Sequence, residues 1–390
     1  MDPGRSDRVP TEARETTRAG RGCLVWPIFW LGAAALASWS CARTPSPRPG
    51  DAAPGQIDVR IVTDEPDAVL AILAARARGE PVTDAAWRRL FAAEGYARLK
   101  QRELSLGRAF TDSAFRAFVL SRELAGRAAA LRRTLDGWRH IDVRAAAGHA
   151  LAYLPAGTPL RARMYPEIKP AANSFVFETD TNPAIFVYVD PTRSAAQVQN
   201  TLSHELHHVG VSAACREQPD SARPAALRRA LDWASGFDEG RAMLAAAGGP
   251  DVDPHATSTA AEHAVWDRNL ALAPGDLPRL EAFFTDVLDG RLQGAELTRA
   301  GFSFINAEGA PQGPFYTVGW LMSVVVEKQL GRGELVASLC EPARFLADYD
   351  RAAAAVNRRG GGPLVRGAPA PLPLWSDSLL GRMGSTPAAR

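Results

Sequence analysis

Apolar residues recur at helical spacing over two long stretches of this chain. From Asp64 to about Ala150 they repeat every three or four positions, which predicts a series of amphipathic helices. Thr83, placed shortly before an apolar stripe that begins at Trp87, has the character of a helix N-cap. After Gly210 the helical pattern returns and continues to about Val356.

Short runs rich in β-branched and aromatic residues separate these two helical stretches. Three such runs, interrupted by Pro and Asn, predict strands at residues 160–165, 174–178 and 184–189. The next apolar stripe runs from Val198 to Val211 at helical spacing, with Pro191 near its start and Gly210 near its end. The pattern therefore predicts an α+β fold, mostly helical, with a small sheet packed beside this helix.

This helix carries the motif His204-Glu205-Leu206-His207-His208. Residues four positions apart lie on one helix face, so the imidazoles of His204 and His208 can bind a single metal ion. Glu205 lies next to them and can take a proton from a metal-bound water, which is the chemistry of a zinc hydrolase. His207 lies off this face and is expected behind the ligands or at the surface. A solvated polar face without metal is the alternative.

A catalytic zinc ion usually takes three protein ligands and leaves one position for water. No further His follows Gly210 at the spacing that metzincins use, so we expect the third ligand to be a Glu from a later helix. Glu239 fits best, with Asp238 as its nearest rival and Glu262 next. An exposed Asp-Glu pair that binds nothing is the alternative. The prediction is one Zn²⁺ per chain, held by His204, His208 and Glu239.

The segment from Tyr316 to Lys328 reads as a buried helix. Gly319 within it would permit close approach of a neighbouring helix. The hydroxyl of Tyr316 can stabilise the oxyanion of a tetrahedral intermediate, which makes Tyr316 a candidate catalytic residue beside Glu205. A core tyrosine with a satisfied hydroxyl is an equal alternative, and His255 and His263 are weaker candidates for the same role.

With these motifs in place, the sequence resembles the gluzincin group of zinc peptidases, in which HExxH is followed by a Glu in an E-G-x-A context. It is also similar to an uncharacterised bacterial family described as zinc-dependent peptidases. The resemblance covers roughly residues 60–350. It rests on segments 83–87, 94–96, 204–208, 238–242 and 314–322. The resemblance implies a zincin-like fold and a zinc metallopeptidase, but no particular substrate.

The N-terminus has the composition of a targeting segment. An Arg-rich stretch precedes an uncharged run from Gly22 to Trp39. Cleavage as a signal peptide, lipid attachment at Cys41 and retention as a membrane anchor all remain open, and each places the body of the protein in the cell envelope, outside the cytoplasm. An exported location allows Cys215 and Cys340 to form a disulfide, with two separate buried thiols as the alternative.

Composition then divides the chain into five segments. We expect a signal peptide or anchor at residues 1–41, a Pro-rich linker at 42–56, a helical region at 57–150, the zincin-like catalytic region at 151–357 and a loosely structured tail at 358–390.

The charge balance does not indicate a strongly charged binding partner, since 45 basic and 43 acidic residues leave a net charge of +2. We expect a peptide or protein substrate, no nucleic acid, and membrane contact only through the N-terminal segment; the oligomeric state stays open. Two other functions remain possible at this point. One is a membrane-tethered scaffold without turnover, and the other is a zinc amidase acting on a cell-wall or other non-peptide amide.

Overall fold

Helices predominate in the protein, and one four-stranded sheet accompanies them, so the predicted α+β class is confirmed. The computed structural model describes residues 56–172, 174–178, 181–215, 223–306, 312–360 and 370–384. The targeting segment and most of the linker, predicted at residues 1–56, lie outside these ranges. Within them, no helix has the length and apolar character needed to cross a membrane.

The first half of the chain begins with one strand and six helices. These elements are β1 (Ile57–Ile61), α1 (Asp64–Ala77), α2 (Asp84–Phe91), α3 (Glu94–Ser105), α4 (Asp112–Val119), α5 (Arg122–Trp138) and α6 (Val143–Leu151). Thr83 caps α2 as predicted, because its side chain accepts a hydrogen bond from the N–H of Ala86. β1 was not among the predicted strands.

The three predicted strands are confirmed, and the metal-motif helix follows them. These elements are β2 (Leu160–Glu167), β3 (Phe175–Phe177), β4 (Ala184–Tyr188) and α7 (Ala195–Ala214). The remaining helices are α8 (Ala225–Ala234), α9 (Asp238–Ala247), α10 (Ala260–Ala271), α11 (Ala273–Leu288), α12 (Gly294–Phe302), α13 (Pro314–Leu330), α14 (Arg332–Ala337), α15 (Pro342–Arg359) and α16 (Asp377–Arg382). A short 3₁₀ turn, Ser235–Phe237, joins α8 to α9.

The sheet has the strand order β1-β2-β4-β3, in which only β3 runs antiparallel to its neighbour. Because side chains alternate across a strand, β4 contributes side chains to the apolar layers on both faces of the sheet. Ile185 and Val187 join the core that also contains α6 and α7. Ala184 and Phe186 point to the opposite face, where they pack near Leu99 of α3. The sheet is therefore covered by helices on both faces.

The described residues form two large apolar cores. The first contains the sheet, the N-terminal helices and the buried stripe of α7 formed by Val198, Leu202, Leu206 and Val209. The second is built around α13 and is rich in aromatic side chains, among them Phe237, Phe284, Phe315, Trp320 and Phe345. Since one face of α7 is used by the first core, its other face is left for the polar motif.

The predicted loose tail at residues 358–390 is wrong for the part that the structure describes. Trp375 is fully buried in the second core, and Leu379 and Leu380 of α16 lie beside it. The hydroxyl of Tyr349 donates to the carbonyl of Pro373 at 2.7 Å. The Gly- and Pro-rich composition of the segment did not predict this packing, because the burial of Trp375 depends on helices that are distant in the sequence.

Two glycines set the distance between α9 and α13. A methyl group added at Gly240 would collide with the backbone of Gly319 and Trp320, and one added at Gly319 would lie 2.7 Å from the carbonyl oxygen of Phe237. The two helices therefore touch backbone to backbone, which confirms the close approach predicted for Gly319. Gly210 also permits a close contact, because a side chain at this position would collide with Leu154. It does not end α7, which continues to Ala214.

A pair of buried carboxyl groups lies where α1, α3 and β2 meet. Glu65 and Glu167 are both fully buried, and the N–H of Ile168 donates to Glu65 at 3.1 Å. Burial raises the pKa of Glu65 to about 8. Burial, and then the charge of Glu65, also raises the pKa of Glu167. Two adjacent carboxyl groups in an apolar site retain a proton at pH values where exposed ones are ionised.

We predict that stability falls as the pH rises across the titration of this pair. Folding favours the protonated form, so its contribution is complete below about pH 4.5 and is lost as the pH passes through the folded value of about 8. One proton gives a slope of at most about 1.4 kcal/mol per pH unit. Urea unfolding at several pH values in this window measures that slope.

Glu167→Gln should flatten the slope relative to the wild-type chain, because it removes one of the two coupled carboxyl groups. Glu80→Gln is the control, since Glu80 is exposed and pairs with Arg78 at the surface. Equal slopes in the wild type and in Glu167→Gln would show that the buried pair does not govern this dependence.

We also predict that Gly240→Ala destabilises the protein by about 3 kcal/mol or more, because the added methyl group meets backbone atoms that cannot rotate away. The matched control is Gly126→Ala within α5, where a methyl group meets nothing within 4 Å and alanine favours the helix. Thermal unfolding of both variants tests this. An unchanged midpoint for Gly240→Ala would contradict the backbone contact.

Candidate metal centre

Helix α7 presents the motif because its start and its buried face are both well defined. Ser194 and Gln197 form a capping box in which each side chain accepts a hydrogen bond from the other residue's backbone N–H. The apolar stripe then lies against the sheet. His204 and His208, four residues apart, consequently lie on the side of α7 that faces α9 and α13.

The third donor comes from the first turn of α9. The Oε2 atom of Glu239 lies 3.1 Å from Nε2 of His204 and 3.2 Å from Nε2 of His208, and the two Nε2 atoms are 3.1 Å apart. Among the residues that the structure describes, these three form the one group of His, Cys, Asp or Glu side chains able to hold a metal ion. The predicted ligand set is thus brought together by the fold.

This donor triangle fits a zinc ion. Ligand atoms at zinc distances of about 2.0–2.2 Å and tetrahedral angles lie roughly 3.3 Å from one another, close to the separations found here. Two imidazoles and one carboxylate are also the set found in catalytic zinc sites that keep a position open. The side chains of His204, His208 and Glu239 retain 12%, 19% and 24% exposure, so the site is accessible from solvent.

The charges within the triangle favour a bound cation. Burial alone would raise the pKa of Glu239, but the charges and hydrogen bonds of His208 and His204 hold it well below its usual range. Burial alone would likewise lower the pKa of His208, yet the charge of Glu239 and its hydrogen bond raise it to about 9. Glu239 thus stays ionised beside a His208 ring that favours a proton, and a metal ion replaces such a proton when it binds.

Tyr316 lies at the start of α13 and borders the triangle. Its ring is nearly parallel to that of His204, with an interplanar angle of 8° and a centroid distance of 6.1 Å. The negative charge of Glu239 acts on its hydroxyl group. Burial, followed by the negative charge of Glu239, raises the pKa of Tyr316 above its usual value, so the hydroxyl keeps its proton and remains a donor.

Glu205 is half-buried and lies outside the triangle, within electrostatic reach of it. Its charge raises the pKa of both His208 and Tyr316, and it also acts on Arg193. A carboxylate and a phenol thus lie near the three donor atoms, and the guanidinium group of Arg193 lies within electrostatic reach of that carboxylate.

The other candidates lie elsewhere. Asp238 pairs with Arg241 at 3.2 Å, and Glu262 completes a capping box at the start of α10 with Thr259. His263 binds Asp253 at 2.7 Å, while His255 contacts Ser258 at 2.8 Å. None of these side chains belongs to the metal-binding group.

His207 is fully buried, so the surface position allowed for it from sequence is wrong. Its ring lies behind the ligands, 6.3 Å from that of His208 between centroids.

Sequence reasoning missed the side chain that holds α9 in place. The buried guanidinium group of Arg241 donates to the backbone carbonyl groups of Ser338 and Leu339, at 3.3 and 3.2 Å, and stacks on the ring of Phe345. Arg241 stands two positions after Glu239, but the bonds span almost a hundred residues of sequence. Nothing in the local pattern distinguishes this arginine from the many others.

The same segment is also joined covalently to α7. Cys215, at the end of α7, forms a disulfide with Cys340, which decides the question that the sequence left open. Segment 338–340 therefore binds both α7 and α9, the two helices that carry the metal-binding side chains.

Comparison with known proteins finds a family whose model covers most of the chain. Residues 87–358 match a family described as "Putative zinc dependent peptidase (DUF5700)". No curated protein and no solved structure matches the chain. The matched range contains His204, Glu205, His208, Glu239 and Tyr316. Since it covers most of the protein, the chain belongs to the family that this description names.

Proposed function

We propose that this protein is a zinc-dependent peptidase that hydrolyses peptide bonds. The observation that carries the proposal is the triangle of donor atoms at 3.1–3.2 Å with an ionisable carboxylate, Glu205, beside it. A purely structural metal site has no use for a general base. Membership of the family supports the same conclusion. Helix α7 with its neighbouring sheet supports a zincin-like fold.

In this proposal His204, His208 and Glu239 hold one zinc ion. The ion supplies Lewis acidity, which polarises the scissile carbonyl group and lowers the pKa of water toward about 7. The hydrogen bonds that these side chains make to one another keep their donor atoms pointed at a common centre. Little reorganisation is then needed when the ion binds.

Glu205 is the general base and acid. Its carboxylate accepts the proton of the attacking water and then passes that proton to the nitrogen of the departing amine. Tyr316, protonated throughout, donates a hydrogen bond to the carbonyl oxygen as negative charge develops there.

We also propose that the protein is exported and that its body lies outside the cytoplasm. The disulfide between Cys215 and Cys340 supports this location, because such bonds persist in oxidising compartments. The uncharged N-terminal run would then be a cleaved signal peptide, a segment that precedes a lipid-modified Cys41, or a membrane anchor.

The proposed metal site predicts about one zinc per purified chain by elemental analysis. Glu239→Ala should sharply reduce that content, because only two imidazole ligands remain. Glu262→Ala is the matched control: Glu262 was a rival ligand in the sequence, and it lies in the cap of α10. If Glu262→Ala loses its zinc while Glu239→Ala retains it, the ligand assignment is overturned. If the wild-type protein contains no zinc, the proposed function is overturned.

The proposed base predicts that Glu205→Gln keeps its zinc and loses turnover by about 10²-fold to 10⁴-fold, the usual contribution of a general base. Cleavage of a proteome-derived peptide library, followed by mass spectrometry, measures turnover, and elemental analysis provides the control for metal. Wild-type rates in Glu205→Gln would exclude Glu205 as the base.

A further inference from the structure

The polar face of α7 extends beyond the metal motif. Thr201 precedes His204 by three residues and Glu205 by four, so these side chains share one helix face. Thr201 therefore lies about one helical turn, roughly 5.4 Å along the axis, before the proposed base, and a group that binds its side chain lies on the same face as the metal motif.

Arg193 is the group that binds there. Its Nη2 atom donates to Oγ1 of Thr201 at 2.6 Å. Its backbone is fixed as well, since the N–H donates to the carbonyl of Asp190 at 3.0 Å and the carbonyl accepts from Nε1 of Trp138 at 3.4 Å. The guanidinium group is therefore held beside the metal motif by contacts at both ends of the residue.

Arg193 makes no ion pair with any carboxylate in the described part of the chain. Charges from Glu262, Asp190 and Glu205 reach it only as longer-range attractions. Its side chain is half-buried, and the bond to Thr201 uses one of five N–H donors. Arg241, by contrast, is fully buried and is engaged by Asp238 and by two carbonyl groups. Arg193 thus keeps both its charge and free donors in an accessible position.

A guanidinium group with free, partly desolvated donors is suited to a carboxylate, which it binds through two parallel hydrogen bonds. An extended peptide advances about 3.3 Å per residue. A substrate with its scissile bond at Glu205 would therefore place a group one or two residues away beside Arg193.

We propose that Arg193 is a specificity-determining residue that binds a substrate carboxylate one or two residues from the scissile bond. The inference rests on the proposed peptidase function and adds a substrate class to it. The carboxylate has two possible sources: the C-terminal carboxylate of the peptide, which would make the protein a carboxypeptidase, or an Asp or Glu side chain, which would make it selective for acidic sequences.

Binding can be tested without turnover. The zinc-loaded Glu205→Gln protein is titrated calorimetrically with tetra-alanine that ends in a free carboxylate or in a carboxamide. It is then titrated with N-acetylated, amidated tetrapeptides that carry Asp or Asn at each inner position. We expect one carboxylate peptide to bind about 10-fold to 100-fold more tightly than its amide counterpart, the size of a charge-assisted hydrogen-bond pair. The pair that shows the difference identifies the source.

Adding Arg193→Gln should bring that ratio to about one. The matched control is Arg133→Gln on α5, which removes the same charge from an exposed arginine and should preserve the ratio. The proposal is overturned if no carboxylate peptide is preferred, or if the preference survives Arg193→Gln. Because the readout is binding to an inactive variant, a failure of peptidase activity would appear separately in the library cleavage assay.

Discussion

The backbone contact between α9 and α13 is the constraint on which the metal centre depends. Gly240 follows Glu239 directly, and Gly319 lies one turn after Tyr316, so one crossing point positions both side chains. A methyl group at either glycine would push the helices apart. Since metal–ligand distances tolerate only about 0.2 Å, a small displacement of Glu239 would remove it from the reach of an ion bound to His204 and His208.

Segment 338–340 holds the two ligand-bearing helices against each other. The disulfide from Cys340 to Cys215 closes a loop with a sequence separation of 125 residues. Chain-entropy arguments put the stabilisation from such a closure at about 5 kcal/mol. Arg241 adds hydrogen bonds from α9 to the two preceding residues. A covalent bond and a buried guanidinium group thus hold α7 and α9 through the same three residues.

Burial and neighbouring charge give chemically identical glutamates different properties. Glu65 and Glu167 are buried together, which favours a shared proton. Glu239 is half-buried, and two imidazoles keep it ionised and suited to a cation. Glu205 remains half-exposed beside them. The structure therefore separates a neutral carboxyl pair in the core from an anionic ligand and an accessible base at the site.

Features set by short-range geometry were predictable from the sequence. The helical spacing of His204 and His208, the Thr83 cap and the three central strands depend on residues a few positions apart, and the periodicity of the chain reports them directly. The family resemblance was predictable for the same reason, because it rests on contiguous motifs. For the third metal ligand, the sequence favoured Glu239 over Asp238 but did not decide between them.

Tertiary structure alone decided the rest. β1 is a strand because it pairs with β2, about a hundred residues later, and the tail is packed because the second core accepts Trp375. Asp238 is excluded as a ligand by Arg241, the disulfide joins distant cysteines, and Arg193 is placed beside the motif by Thr201 and Trp138. In each case the residue that makes the deciding contact is distant in sequence or is brought close only by tertiary packing. The local periodicity of the sequence therefore cannot predict the contact.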